Sequence, residues 1–258
     1  MKVERTIPSV IALLALAALI SAPKRVGAEQ EAQSAVAGAP LSADQVVDNL
    51  IRRNQERAQA LLHSESTRVY HLAYRGFPGA REAEMTVRAT YDRPSTKDFK
   101  IVSESGSKLI QERVFKRLLE SEQEAAQPAI NAKTQLNREN YNFELVGYEP
   151  SKTVGQYVLQ VSPKSKSKYL YRGKVWVDET DFAVTRIEGE PAQNPSFWTK
   201  KSEIHHEYKK VQNFWLPARN ESVSYIRLGG RAILTIEYKD YRVTEARQAM
   251  LSSGGSKP

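Results

Sequence analysis

The chain of 258 residues contains no cysteine. Disulfides, a lipid-modified N-terminal cysteine and thiolate chemistry are therefore excluded. Long apolar runs are missing as well. The stretch from Val10 to Ile20 is only about a dozen residues, short of the ~20 that span hydrocarbon. No G-x-S-x-G elbow, Walker loop, dinucleotide fingerprint or zinc-protease helix occurs. Asp178, Glu179 and Asp181 crowd one turn but lack the ordered ligand series and bend glycine of an EF-hand, so a solvated hairpin tip is expected. His205 and His206, with Glu203 and Glu207 nearby, are metal suspects by type, yet neighbours on a strand point to opposite faces and do not share one ion easily. His63 and His71 pair with no nucleophile at a recognisable spacing. Glu82 and Glu84 could be posed as a glycosidase pair, but sequence does not set their separation and surface charge is the commoner reading. The expectation is a protein without enzymatic activity, with no cofactor and no metal.

What is present begins at the N-terminus. Lys2 and Arg5 precede the apolar run, and Val26-Gly27-Ala28 offers small residues before Glu29, the pattern of a secretory signal peptide over 1–28, cleaved near Ala28. An uncleaved anchor flanked by Lys24 and Arg25 is the alternative, disfavoured by the shortness of the run. Of the formal net charge of +8, Lys2, Arg5, Lys24 and Arg25 against Glu4 account for +3, which leaves +5 on the mature chain. That balance is compatible with peripheral contact with an anionic membrane surface, although acids are interspersed throughout. Export and those acids count against nucleic acid as a partner for the basic strand faces Lys166 to Arg172 and His206 to Lys210.

Residues 29–40 are rich in Ala, Gly, Ser and Gln and read as a disordered leader. Ser42 and Gln45 match a capping box, and Val46, Val47, Leu50, Ile51, Ala58, Leu61 and Leu62 fall near a helical period, predicting an amphipathic helix over Ser42 to Leu62. Strands are predicted at Ser66 to Arg75, Ala83 to Asp92 and Lys97 to Ser105. A second helix is predicted from Ser107 to Glu124, with Ile110, Val114, Phe115 and Leu118 on one side. Gln127 to Asn140 reads as a long polar loop. Strands follow at Asn142 to Tyr148, Gln156 to Val161, Tyr169 to Asp178, Phe182 to Glu190, Lys201 to Val211, Phe214 to Arg227 and Arg231 to Val243, most joined by short turns. The domain is bounded at 41–245, and 246–258 is a disordered tail.

An antiparallel sheet of about ten strands rarely stays flat and open. The expected fold is therefore α+β and mainly β: a strongly curved antiparallel sheet forming an unclosed, half-open β-barrel, with helices covering the concave face. Incomplete cover would leave an apolar cleft suited to a lipid tail, and a ~16-carbon acyl chain gains on the order of 10 kcal/mol on burial without any catalytic group. Strand alternation nominates the residues that line it: Tyr70, Leu72 and Tyr74, Met85 and Val87, Phe99 and Ile101, and Tyr169, Tyr171, Val175 and Val177.

Three segments carry a family resemblance: GKVWVDETDFAVTRIEGE, then NPSFWTKKSEIHHEYKKVQNFWLPARNESV, then RAILTIEYKDYRV. Over Ser42 to Val243 the chain resembles the LolA/LolB-like superfamily of outer-membrane lipoprotein-sorting proteins. The resemblance implies a periplasmic, monomeric carrier that holds lipid or lipoprotein acyl chains in a hydrophobic cavity under a helical lid, between an inner-membrane donor and an outer-membrane acceptor. The alternative it leaves open is a periplasmic sensor or regulatory module of the same fold that binds a membrane-protein partner. The absence of cysteine argues against the lipid-anchored acceptor type.

Overall fold

The computed structural model describes residues 41–246 except 195, 198 and 228. The signal peptide, the leader and all but the first residue of the tail expected from the sequence lie outside the described residues. Helix α1 (Ala43–Ala60) starts at the capping box: Ser42 Oγ accepts from the Gln45 amide at 3.3 Å and Gln45 Oε1 accepts from the Ser42 amide at 2.9 Å. Val46, Val47, Leu50 and Ala58 bury one stripe of it. The chain then passes without a loop into β1 (Leu61–Gly76), followed by β2 (Arg81–Asp92) and β3 (Thr96–Gly106).

A helical run follows, made of α2 (Lys108–Ile110), a π-helical turn (Gln111–Phe115) and α3 (Lys116–Ala126). Its buried positions Ile110, Val114, Leu118, Glu122 and Ala126 recur every fourth residue. In a 3.6-residue helix that series drifts by about 40° per step, and the wider π turn takes up part of the drift. Helix α4 (Pro128–Ala132) occupies part of the segment expected to be a long loop. Proline at the first helical turn loses no needed N–H. Polar side chains then satisfy the remaining backbone: Thr134 Oγ1 donates to Asn131 O at 3.0 Å, and Asn140 Nδ2 donates to Ala132 O and Gln135 O at 3.0 and 2.9 Å. These local bonds leave no hydrophobic period to read.

The remaining strands are β4 (Tyr141–Glu149), β5 (Gln156–Pro163), β6 (Tyr171–Asp178), β7 (Val184–Pro191), β8 (Thr199–Val211), β9 (Phe214–Ile226) and β10 (Gly230–Glu245). All ten strands form one sheet in the order β3-β2-β1-β10-β9-β8-β7-β6-β5-β4, with every pairing antiparallel. The edges β3 and β4 do not pair with each other, so the barrel is unclosed. Because the helical run joins β3 to β4, it has to cross the open side of the sheet. Topology alone thus puts α2 to α4 over the mouth. Each edge pairing carries a register shift, at Thr86/Val87 and at Leu145/Gly147, that leaves Val102 and Val146 exposed and interrupts the edge as a template for further strands.

The register places one row of side chains across nine strands: Met85, Tyr70, Ile236, Asn220, His206, Ile187, Val175, Leu159 and Leu145. The next row runs Ala83, Leu72, Leu234, Ser222, Ile204, Gly189, Gly173, Val161 and Phe143. Both rows belong to the helix-covered face, but the core beneath the helices is double. Val46, Val47 and Leu50 of α1 pack on Leu159, Val161, Val175, Val177 and Ile187. Ile110, Phe115 and Leu118 pack on Tyr70, Leu72, Met85, Val87, Leu234 and Ile236.

Candidate functional site

Ten of the eleven residues nominated from strand alternation fall into these two cores. Tyr70, Leu72, Met85 and Val87 lie buried under the α2–α3 run, with Tyr74 and Phe99 packed at its margin. Tyr171, Val175 and Val177 lie buried in the α1 core, with Tyr169 at its margin. Ile101 shares the face of Phe99 but is 38% exposed on the edge strand β3.

Between the two cores the middle strands β8 and β9 present polar side chains. Ser202 and Ser224 face each other at 2.8 Å, and Asn220 Nδ2 donates to the Tyr238 hydroxyl at 2.9 Å. His206 Nε2, Asn220 Oδ1 and Ser222 Oγ are buried without a protein partner. Burial, with the nearby His205 charge, pushes the His206 imidazole down to about 4, so it is neutral at physiological pH. The covered face is thus apolar, polar and apolar again.

At one end of this seam lies a cleft of about 210 Å³. Its walls come from the end of α1 (Asn54, Arg57, Ala58), from β1 (Ser64, Ser66, Arg68) and from Lys97 of β3. Opposite stand Val184, Tyr208, Tyr241 and the run Phe214, Trp215, Leu216 and Pro217. Strands β3 and β7 are six intervals apart in the sheet order, roughly 29 Å if flat at ~4.8 Å each, yet Lys97 and Val184 line the same small cleft. The sheet must curl around it, which makes the helix-covered face the concave one. None of the eleven nominated residues lines this cleft.

An ion cluster meets the cleft from below. Glu122 of α3, with a side chain only 3% exposed, accepts from Arg68 Nη1 at 2.6 Å, from Lys97 Nζ at 3.3 Å and from the Tyr70 hydroxyl at 3.2 Å. Burial alone would raise the Glu122 carboxyl, but the Arg68 and Lys97 charges outweigh it and hold the group below its ordinary range. Burial lowers Lys97 despite the Glu122 charge, while for Arg68 that same charge overcomes burial and raises it. The Arg68 guanidinium lies between the rings of Phe99 and Tyr238, 5.2 and 5.1 Å from their centroids. On the other side of the cleft, Arg57 donates to the Asp181 and Phe182 carbonyls at 2.9 and 3.0 Å and to Asn54 Oδ1 at 2.8 Å.

The three carboxylates of the Asp178 to Asp181 turn diverge. Asp178 Oδ1 accepts from the Thr180 and Asp181 amides at 2.9 and 2.7 Å, which closes the turn. Glu179 accepts from the Gly155 amide at 2.8 Å and from the Tyr148 hydroxyl. Asp181 pairs with Lys210 at 2.6 Å and accepts from Trp215 Nε1 at 2.8 Å, tying the turn to the cleft wall. His205 points away from His206 and bonds Glu207 at 2.9 Å. Among the described residues no group of three or more His, Asp and Glu could hold a metal ion.

Sequence reasoning missed Arg57, Arg68, Lys97 and Glu122. Two of them left a trace: Arg68 stands two residues before Tyr70 on its inward face, and Glu122 continues the four-residue series of Ile110, Val114 and Leu118. A charged residue in phase with an apolar stripe, matched by one of opposite sign on another stripe, is the signature of a buried pair.

No protein-family model matches the chain, and no curated protein matches it in sequence. Solved structures do match. A putative outer membrane lipoprotein-sorting protein domain from Vibrio parahaemolyticus aligns over 79% of this chain and 94% of its own, with 13% identity and a TM-score of 0.40. A LolA superfamily protein from Nitrosomonas europaea aligns over 82% and 97%, with 10% identity and a TM-score of 0.34. A DUF1329 family protein from Desulfovibrio piger aligns over 78% and 92%, with 14% identity and a TM-score of 0.38. At low sequence identity, the chain is similar to solved structures of the superfamily that its motifs resemble.

Proposed function

We propose that this protein binds acyl chains of lipids or lipoproteins on its concave face and carries them through the periplasm. The observation that carries the reading is the cleft at the seam between two separate helical covers. Its walls are largely aromatic and aliphatic, and on either side of it the helices rest on apolar sheet surface. Lifting α1 would expose Tyr171, Val175 and Val177, and lifting α2–α3 would expose Tyr70, Leu72, Met85 and Val87. A tail that replaces the helix side chains there gains about 0.8 kcal/mol per buried CH₂, which offsets the exposure of the lifted helix's apolar stripe. With Tyr74, Phe99, Ile101 and Tyr169 at the margins, these residues form the proposed acyl site.

The basic, apolar and small-residue order of the first 28 residues supports export. No described helix is long and apolar enough to cross a membrane. In this role the protein would take its cargo from an inner-membrane donor and release it to an outer-membrane acceptor, with no bond made or broken. Protein purified without detergent is examined by native mass spectrometry and lipid extraction, and the stripped protein by titration with a fluorescent fatty acid. An acyl ligand at one per chain is expected. If none copurifies and the fatty acid does not bind, the reading is wrong.

A further inference from the structure

We propose that the cleft is built for an anionic head group, a carboxylate or phosphate carried on an apolar chain, so that the cargo is an anionic amphiphile. This rests on the acyl-binding reading and adds the head group to it. The charged residues lining the cleft are Arg57, Arg68 and Lys97; no Asp or Glu lines it. Behind the wall a single carboxylate, Glu122, serves both Arg68 and Lys97. Arg57 is held by carbonyl oxygens and an amide oxygen rather than by a carboxylate. The Asp181 carboxylate, which contacts Lys210 and Trp215, acts on Arg57 through its field, as do Glu56 and Asp178. Counted by direct contact, the three lining cations therefore share one carboxylate, in a setting where desolvated charge is expensive.

Arg68 is also incompletely used. The residue is 91% buried by its relative exposure of 9%, and its Nε is a donor without a partner. The rings of Phe99 and Tyr238 and the bond to Glu122 hold the guanidinium in place before any ligand arrives. A planar guanidinium beside an ammonium is the arrangement that recognises carboxylate or phosphate oxygens. Asn54, Ser64, Ser66 and Thr90 add uncharged polar groups to the wall, and its apolar part, which includes Ala58, Leu61, Phe214, Leu216 and Pro217, suits the carbons next to such a head. About 210 Å³ equals roughly seven water volumes at ~30 Å³ each, enough for a head and its first carbons, with the rest of the tail running under the helices.

Trp215 in the wall offers a fluorescence signal. The stripped full chain is titrated at neutral pH with decanoate, with decanol of the same length and without charge, and with inorganic phosphate. Decanoate is expected to bind about tenfold or more tighter than decanol, a preference that falls with salt. Lys97→Met, which leaves the Arg68–Glu122 bond in place, should cut decanoate binding several-fold and leave decanol unchanged. Equal binding of decanoate and decanol by the unmodified protein overturns the proposal and leaves the acyl-binding reading standing. So does a preference that Lys97→Met does not alter. If phosphate binds and neither amphiphile does, the site takes a free anion and both readings fall; if nothing binds, both fall as well. Because the unmodified protein decides the first comparison, the test survives even a variant that fails to fold.

Discussion

Replacing Glu122 by leucine removes the one carboxylate in contact with two buried cations. The side chains of Arg68 and Lys97 are each 11% exposed, and their bonds to Glu122 measure 2.6 and 3.3 Å. Removing one partner of a buried ion pair costs about 3–5 kcal/mol, because the other charge stays behind unpaired. At ~2–4 °C per kcal/mol for a domain of this size, the melting temperature should fall by roughly 6–20 °C. Urea titration followed by tryptophan fluorescence measures the loss as a shift of midpoint at constant slope. The companion variant, Arg68→Met with Lys97→Met and Glu122→Leu, has no charge left to strand, and should recover most of the loss. A single variant within about 1 kcal/mol of the parent would show that Glu122 contributes no more than an exposed partner does, and would refute the stranded-charge account. A triple variant as unstable as the single one would assign the loss to packing. The pH dependence follows from the sign of the shifts. Glu122 has its folded pKa below the unfolded value, so its contribution is present above the ordinary carboxylate range and is lost as pH falls through the lower folded value. Lys97 is also lowered, so the unfolded chain holds its proton more tightly and stability gains from this group as pH rises toward the alkaline range.

Three other outcomes are expected. His206 titrates near 4 in the folded protein against 6.5 ordinarily, so stability should fall by about 3 kcal/mol as pH drops across that interval, and His206→Gln should flatten the slope; an unchanged slope in the variant would exclude His206 as its source. Ser42→Ala removes the side-chain half of the capping box of α1 and should cost about 1 kcal/mol in chemical denaturation, while Ser42→Asp should cost far less. Gly173→Ala should destabilise by more than about 1 kcal/mol, because Gly173 has φ of 147° and a Cβ there would stand 2.1 Å from the Glu188 carbonyl oxygen; a neutral result would mean that β6 and β7 can part locally.

How much was legible differs between elements for physical reasons. Helix α1 was readable because its cap and its apolar stripe are both local: Ser42 reaches only to Gln45. The ten strands were readable from alternation and from turn residues such as Phe77-Pro-Gly79, and the observed β1 to β10 match the expected segments within a few residues at most ends. The exception is β1, which begins at Leu61 rather than near Ser66, since the expected end of α1 and the start of β1 compete for the same apolar residues. Helix α4 escaped notice because side-chain-to-backbone bonds, and no hydrophobic period, hold it. Which residues of a strand share a face was legible in several strands, as in the grouping of Tyr70 with Leu72 and of Val175 with Val177, but which face is concave was not. Alternation reports which side a residue faces; it does not report what stands opposite.

That limit separates what the chain carries in its own order from what folding decides. Period, caps and turns depend on neighbours a few residues away, so the sequence by itself determined the elements other than α4, their order and the antiparallel curved sheet. The pairing of β1 with β10 and the run from edge β3 to edge β4 place the helices over the mouth, and only the tertiary structure decided that two cores would form there with a polar seam between them. It also brought Arg57, Arg68 and Lys97 to one cleft from α1, β1 and β3, and put Glu122 of α3 behind two of them. Charges 25 and 54 residues apart along the chain from Glu122 carry no mutual signal until the sheet curls, because their interaction depends on distance through space and on the desolvation that burial imposes.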